Sequence, residues 1–155
     1  MSETNTVTEQ ATQVYTVFIR ATPEQVWEAI TKPEFTMKYF YGSVIDSTWE
    51  PGSSYAGWAS DRSQQYVDGE VLDYDPPRRL QHTWRSLYDE ATAAEPQSRV
   101  TWDIEVQDGG VTKLTVVHDR LEAAPATAAN VAGGWMYVLS GLKTLLETGE
   151  PLQQQ

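Results

Sequence analysis

The segment Gly133-Gly134-Trp135-Met136-Tyr137-Val138-Leu139-Ser140-Gly141-Leu142-Lys143-Thr144-Leu145-Leu146-Glu147 restricts the possible folds more than any other part of the chain. Val131, Trp135, Val138, Leu139, Leu142, Leu145 and Leu146 recur at three- and four-residue steps, so they form one stripe of an amphipathic helix with glycines and a tryptophan near its start. Such a stripe must be buried. Gly149 can take the left-handed cap and Pro151 cannot continue the ladder, so the helix ends there. Because the preceding text is a run of strand-like segments, the expected partner is a curved sheet that grips the helix.

Residues 14–20 are β-branched and aromatic and read as the first strand. Thr22-Pro23-Glu24-Gln25 then combines an N-cap hydroxyl, a proline at the first helical position and a glutamine able to return a hydrogen bond. That helix runs to about Ile30 and buries Val26, Trp27 and Ile30. Thr31-Lys32-Pro33-Glu34 restarts the pattern, giving a second short helix through about Tyr39 anchored by Phe35, Met37, Tyr39 and Phe40. Further strands are expected over residues 44–49, 55–59, 65–74, 79–87, 100–106 and 111–119, with turns at Pro51-Gly52, Asp61-Arg62, Pro76-Pro77 and Gly109-Gly110. Residues 89–97 are small and polar and read as a mobile loop. Val100, Trp102, Ile104 and Val106 form one apolar strand face, with Asp103 and Glu105 opposite on a solvated exterior. The plan is α+β, one sheet with helices on one face.

A chain of 155 residues can bury a core as one domain, expected over residues 13–150 between a flexible leader (1–12) and a short tail (151–155). With no cysteine there is neither a disulfide framework nor a thiolate metal site, which favours a reducing, cytoplasmic setting. The leader lacks the apolar core of a signal peptide, and no segment approaches the roughly 20 apolar residues of a membrane span. The net charge of -11 repels phosphate backbones and anionic headgroups, so neither nucleic acid nor membrane is an expected partner.

Several stretches carry a family resemblance. They are residues 19–30; Gly69-Glu70-Val71-Leu72 through Pro76-Pro77-Arg78-Arg79-Leu80; Thr83-Trp84; Thr112-Lys113-Leu114-Thr115 to His118; and Gly134-Trp135 with Leu139, Leu142 and Leu146. Together they resemble the activator-of-Hsp90-ATPase-like branch of the START/Bet v 1 superfamily over residues 14–147. The resemblance implies a helix-grip fold with a hydrophobic pocket between the long helix and the sheet. It implies no single reaction, because the superfamily includes lipid and hormone binders, polyketide cyclases and aromatases. Two positions depart from the pattern: Tyr39-Phe40 stands where relatives often have Trp-Phe, placing a hydroxyl near the expected pocket mouth, and Gly52-Ser53 replaces a double glycine. A chaperone partner is doubtful, since the eukaryotic activator behind the family's name has an additional N-terminal domain.

Six tryptophans and eight tyrosines suit either a pocket lining or ordinary core. The expected ligand-binding set is Tyr39, Phe40, Trp58, Tyr66, Trp84, Trp102, His118, Trp135, Val138, Leu139 and Leu142. His82 and His118, the only histidines, share strand faces with apolar residues and are the catalytic candidates. Each is readable as a general base or as a core histidine satisfied by hydrogen bonds. Asp68 and Glu70 lie on a strand whose inward face the alternation leaves open. Metal binding is not expected from two distant histidines without cysteines, nor is a nucleotide cofactor without a glycine-rich phosphate loop. Gly133-Gly134 either permits close packing against a strand or leaves room for a ligand. Three functions follow from these residues: a monomer or homodimer holding a small hydrophobic or aromatic molecule, a cyclase- or hydrolase-like enzyme, or a chaperone-interacting protein.

Overall fold

Pro23, Pro33 and Pro125 each open a helix, where the missing N–H costs nothing and the fixed φ is already helical. In the computed structural model, which describes residues 11–153, strand β1 (Gln13–Ile19) leads into helices α1 (Pro23–Thr31) and α2 (Pro33–Tyr39). Then come β2 (Val44–Asp46), β3 (Ser54–Trp58), β4 (Gln65–Asp75), β5 (Arg79–Ser86), the single-turn helix α3 (Glu90–Ala93), β6 (Ser98–Val106), β7 (Thr112–Asp119) and the long helix α4 (Pro125–Thr148). The strands make one antiparallel sheet in the order β1-β7-β6-β5-β4-β3-β2, curved around α4. This is the helix-grip arrangement that the resemblance implies. The expected leader lies, through residue 10, outside the described residues, as do residues 154–155 of the tail.

The anticipated cap of α1 is present in full. Thr22 Oγ1 accepts from the Gln25 N–H at 3.1 Å, while Gln25 Oε1 accepts from the Thr22 N–H at 2.8 Å. At the far end of the chain, Gly149 caps α4 with φ 81, the left-handed geometry the sequence pattern requires. The stripe of α4 is buried at Val131, Trp135, Val138, Leu139, Leu142 and Leu145 against Leu80, Val100, Trp102 and Leu114 of the sheet, all within one core cluster.

Several expectations fail for local reasons. The strand anticipated over residues 44–49 stops at Asp46, because Ser47 Oγ accepts from the Trp49 N–H at 2.9 Å and Trp49 turns with φ 67. Its ring thereby folds back edge-on to Tyr55, 5.9 Å between centroids. Met37 is not an anchor: the inward phase of α2 falls on Thr36 and Tyr39, leaving Met37 43% exposed. Val106 outruns the helical cover at its hairpin end and is 72% exposed. Gly133 and Gly134 lie inside α4 rather than at its start, which is eight residues earlier at Pro125, and no strand presses on either. The close approach is at Gly141, where an added Cβ would meet Tyr39 Cβ at 3.2 Å.

The open question of β4 is resolved by a bulge. Val71 pairs with His82 and Asp73 with Gln81, so the register shifts between them and Tyr74 rejoins the inward phase opposite Leu80. Val67 and Val71 are buried, while Asp68 points away to a two-pronged pair with Arg85 at 2.7 and 3.1 Å. Gly69 must be glycine here, since a Cβ would sit 2.0 Å from the Thr83 carbonyl oxygen.

Residues 89–97 are tied down rather than free. Thr92 is buried and donates to the Ser86 carbonyl at 3.0 Å. The cap of α4 also comes from this segment, because Ala124 at its N-cap offers no side-chain oxygen. Glu95 accepts from the N–H groups of Ala126 and Thr127 at 2.8 Å each and from the Thr127 hydroxyl at 2.7 Å. Burial raises its pKa, but these hydrogen bonds outweigh that and hold the carboxyl below its ordinary value.

Candidate functional site

A cleft of about 410 Å³ opens where the N-terminal half of α4 leaves the sheet. Asn130, Val131, Gly134, Trp135 and Val138 supply one wall, consecutive positions of a single helical face. Val67 from β4 and Trp84 from β5 supply the sheet wall, and Phe40 and Ser43, following α2, close an end. Tyr41, Tyr66 and Tyr88 stand around the opening, Tyr41 61% and Tyr88 46% exposed. At Gly134 an added Cβ would meet only Tyr41, at 3.7 Å, so this glycine leaves space at the cleft instead of admitting a strand. All the lining residues are uncharged.

Of the expected binding set, Phe40, Tyr66, Trp84, Trp135 and Val138 line the cleft. Tyr39, Trp58, Trp102, His118, Leu139 and Leu142 do not. Tyr39 is fully inside the core, its hydroxyl donating to the Ala29 carbonyl at 2.7 Å, so it puts no hydroxyl at the mouth. The adjacent Tyr41 does so, turned outward by φ 54 and stacked on Tyr137 with centroids 5.1 Å apart. Tyr41, Ser43, Val67, Tyr88, Asn130, Val131 and Gly134 are lining residues outside the expected set. Val131 was legible on the helical stripe. Tyr88 and Asn130, whose hydroxyl and side-chain carbonyl are hydrogen bonded across the mouth, come from segments that no periodicity joins.

Behind the cleft lies an aromatic wall. Trp135 packs edge-on to Phe40 at 5.9 Å and to Trp102 at 5.4 Å, with Trp84 tilted against it at 5.8 Å. Two histidines are built into this wall, both 0% exposed and neither lining the cleft. The Trp102 indole N–H donates to His82 Nε2 at 3.0 Å, and the Trp135 indole N–H donates to His118 Nδ1 at 3.0 Å. Indole is a donor only, so each of those ring nitrogens must carry a lone pair, and the proton of each neutral imidazole resides on the other nitrogen. His82 Nδ1–H then donates to the Thr83 carbonyl at 2.9 Å, and His118 Nε2–H donates to Ser98 Oγ at 2.7 Å. Ser98 in turn donates to the Trp84 carbonyl at 3.2 Å.

Burial dominates the electrostatics of both rings. It pushes His82 down to about 4 against a smaller opposing effect of the Thr83 hydrogen bond. Burial, then the proximity of His82, pushes His118 down to about 3, with Asp119 opposing. Tyr55 lies flat over His82 with centroids 3.6 Å apart, and burial raises its phenol. Among the described residues no buried side-chain nitrogen or oxygen lacks a hydrogen-bond partner, and no three His, Asp or Glu side chains converge as a metal site would require.

The outer face of the sheet has a second depression around Asp75, Arg78, Arg79 and Asp103. Its cations are spent on its own carboxylates: Arg79 reaches Asp73 at 3.2 Å and Asp103 at 3.1 Å, and Arg78 reaches Asp75 at 2.6 Å. Among the described residues no helix is long and apolar enough to cross a membrane.

The architecture recurs in solved structures. Protein MLL2253 from Mesorhizobium loti is similar with 25% identity and a TM-score of 0.69 over 87% of this chain and 96% of its own. DynU16, a protein of the dynemicin biosynthetic locus, gives 23% identity and a TM-score of 0.72 over 93% of this chain and 50% of its own. The Aha1 dimer from Colwellia psychrerythraea gives 18% identity and a TM-score of 0.69 over 89% and 97%. No curated protein matches the chain significantly. The family model described as activator of Hsp90 ATPase homolog 1-like protein matches residues 20–147. With its helix-grip fold and this match over most of its length, the chain belongs to the activator of Hsp90 ATPase homolog 1-like family.

Proposed function

We propose that the protein binds a small hydrophobic or aromatic molecule in the cleft between α4 and the sheet. The observation that carries this reading is the cleft itself, about 410 Å³ of space walled by Phe40, Trp84, Trp135 and Val138 in an otherwise closed core. Its volume falls in the range of roughly 300–1,000 Å³ in which small-molecule sites are found. Apolar burial against these side chains supplies the affinity, while the hydroxyls of Tyr41, Tyr66 and Tyr88 orient the ligand. Trp102, His118, Leu139 and Leu142 support the wall from behind.

The binding role is favoured over histidine-based catalysis because both nitrogens of both imidazoles are already engaged. A general base needs a free lone pair within reach of substrate. Thermal-shift screening of aromatic and lipid metabolites, followed by native mass spectrometry of each hit, tests the proposal. A ligand raises the melting temperature by mass action and gives one-to-one stoichiometry. A complete absence of hits, together with unchanged Trp fluorescence on adding each compound, sinks it.

A further inference from the structure

We infer that the cleft selects an uncharged aromatic ligand, with its hydroxyl or carbonyl end held at the Tyr88–Asn130 pair, and rejects carboxylates, phosphates and amines of the same shape. This rests on the binding role proposed above and specifies its ligand class. Neither a cation nor a carboxylate is among the lining residues, so a charge of either sign drawn to this rim would lose part of its hydration with no group of opposite sign to replace it. Three sources of positive potential are also committed elsewhere. The positive end of α4, one turn before Asn130, is covered by the Glu95 carboxylate, which holds the N–H groups of Ala126 and Thr127. Arg85 is paired with Asp68 at 2.7 Å and Arg99 with Asp119 at 2.6 Å, both on the outer sheet face.

The rim offers neutral hydrogen bonding instead. Tyr88 donates to the side-chain carbonyl of Asn130, which leaves the Asn130 amide N–H groups as donors and the Tyr88 oxygen as an acceptor. These match a ligand hydroxyl or carbonyl.

The test is isothermal titration of the full chain near neutral pH with 9-anthracenemethanol, 9-anthracenecarboxylate and 9-anthracenemethylamine, which share one ring system. The alcohol is expected to bind at least about tenfold more tightly than either ion, since even a partly hydrated unpaired charge costs more than about 1.4 kcal/mol, the equivalent of that factor. Tighter binding of the amine would mean that the net charge of -11 governs selection, and it overturns the inference. So does carboxylate binding equal to that of the alcohol, although the pocket itself would then be established. If none of the three binds, the binding role falls and its ligand class with it. Asn130→Lys, at an exposed helical position, places an ammonium beside the ligand's polar end. The alcohol-to-carboxylate ratio should fall at least about tenfold in this variant, and an unchanged ratio overturns the placement at Tyr88–Asn130.

Discussion

The aromatic wall and the cleft mouth both use ring side chains, for opposite ends. In the wall each polar atom of Trp102, His82, Trp135 and His118 is matched to another, so the rings are fixed in one tautomer and one orientation. At the mouth Tyr41 and Tyr88 remain about half in solvent, Tyr41 stacked on Tyr137 and Tyr88 edge-on to Tyr66. The contrast separates stability from recognition. A side chain whose polar atoms are all partnered inside the protein contributes to folding and has no hydrogen bond left to offer a ligand, though an apolar face such as that of Trp135 can still wall the cleft. A half-exposed ring contributes less to folding and keeps its polar group free to orient a ligand.

The hardest test of that division is Trp102→Ala. The indole is 1% exposed, touches Trp135 and donates to His82, so its loss leaves a cavity and a buried acceptor without a donor. Destabilisation of about 3–5 kcal/mol is expected from urea unfolding. A cost below about 1 kcal/mol would show that the wall does not carry the fold.

The next effect comes from pH. Both histidines have folded pKa values depressed below the ordinary 6.5, to about 4 and about 3, so their contribution is fully present above pH 6.5. As pH falls below that point the unfolded chain takes up protons that the folded chain refuses, and stability declines until the folded values are reached. Two such groups give a loss of about 2–3 kcal/mol between pH 7 and 5.5, a window in which ordinary carboxylates stay ionised. Urea midpoints measured across it check this, with imidazole NMR as the companion readout. Rings that titrate near 6.5 in the native protein would place the histidines in solvent and dissolve the distinction between wall and mouth.

Between these extremes lies Glu95, which belongs to neither region but joins them by holding the start of α4 to the segment after Tyr88. Glu95→Ala removes the only side-chain acceptor described at that helix end and should cost about 1–2 kcal/mol by thermal or urea unfolding. Its carboxyl is held below its ordinary value, so this contribution is present above the unfolded carboxyl range and disappears as pH falls through the lower folded value. Equal stability of variant and parent at pH 7 would show that the cap is replaceable by water.

How far this division could be read beforehand depends on the range of the interactions. The stripe of α4, the capping box of α1 and the strands from Gln65 to Asp119 were legible because they rest on local periodicity and local caps. The early end of β2 and the bulge after Val71 were not, since a serine-backed turn and a register shift each break alternation at a single residue. The cleft was half legible. Trp135 and Val138 follow from the helix face, and Trp84 from its strand, but Tyr41, Tyr88 and Asn130 meet only after the sheet has closed on α4. Glu95 was hidden for the same reason, its helix partners lying 31 and 32 residues away.

The finest test of the mouth is Tyr41→Gly. The native residue holds φ 54, a conformation that costs a tyrosine roughly 1 kcal/mol and a glycine almost nothing. Against that gain stand the stack on Tyr137 and the greater backbone freedom of glycine in the unfolded chain, each also worth roughly 1 kcal/mol or less. These terms nearly cancel, so urea unfolding should place the variant within about 0.5 kcal/mol of the parent. Ligand affinity has no such compensation, because the variant removes a ring and a hydroxyl from the opening and puts nothing back. A several-fold weaker complex with unchanged stability assigns Tyr41 to recognition. Destabilisation comparable to that of Trp102→Ala would assign it to the core, and the mouth would then be a continuation of the wall.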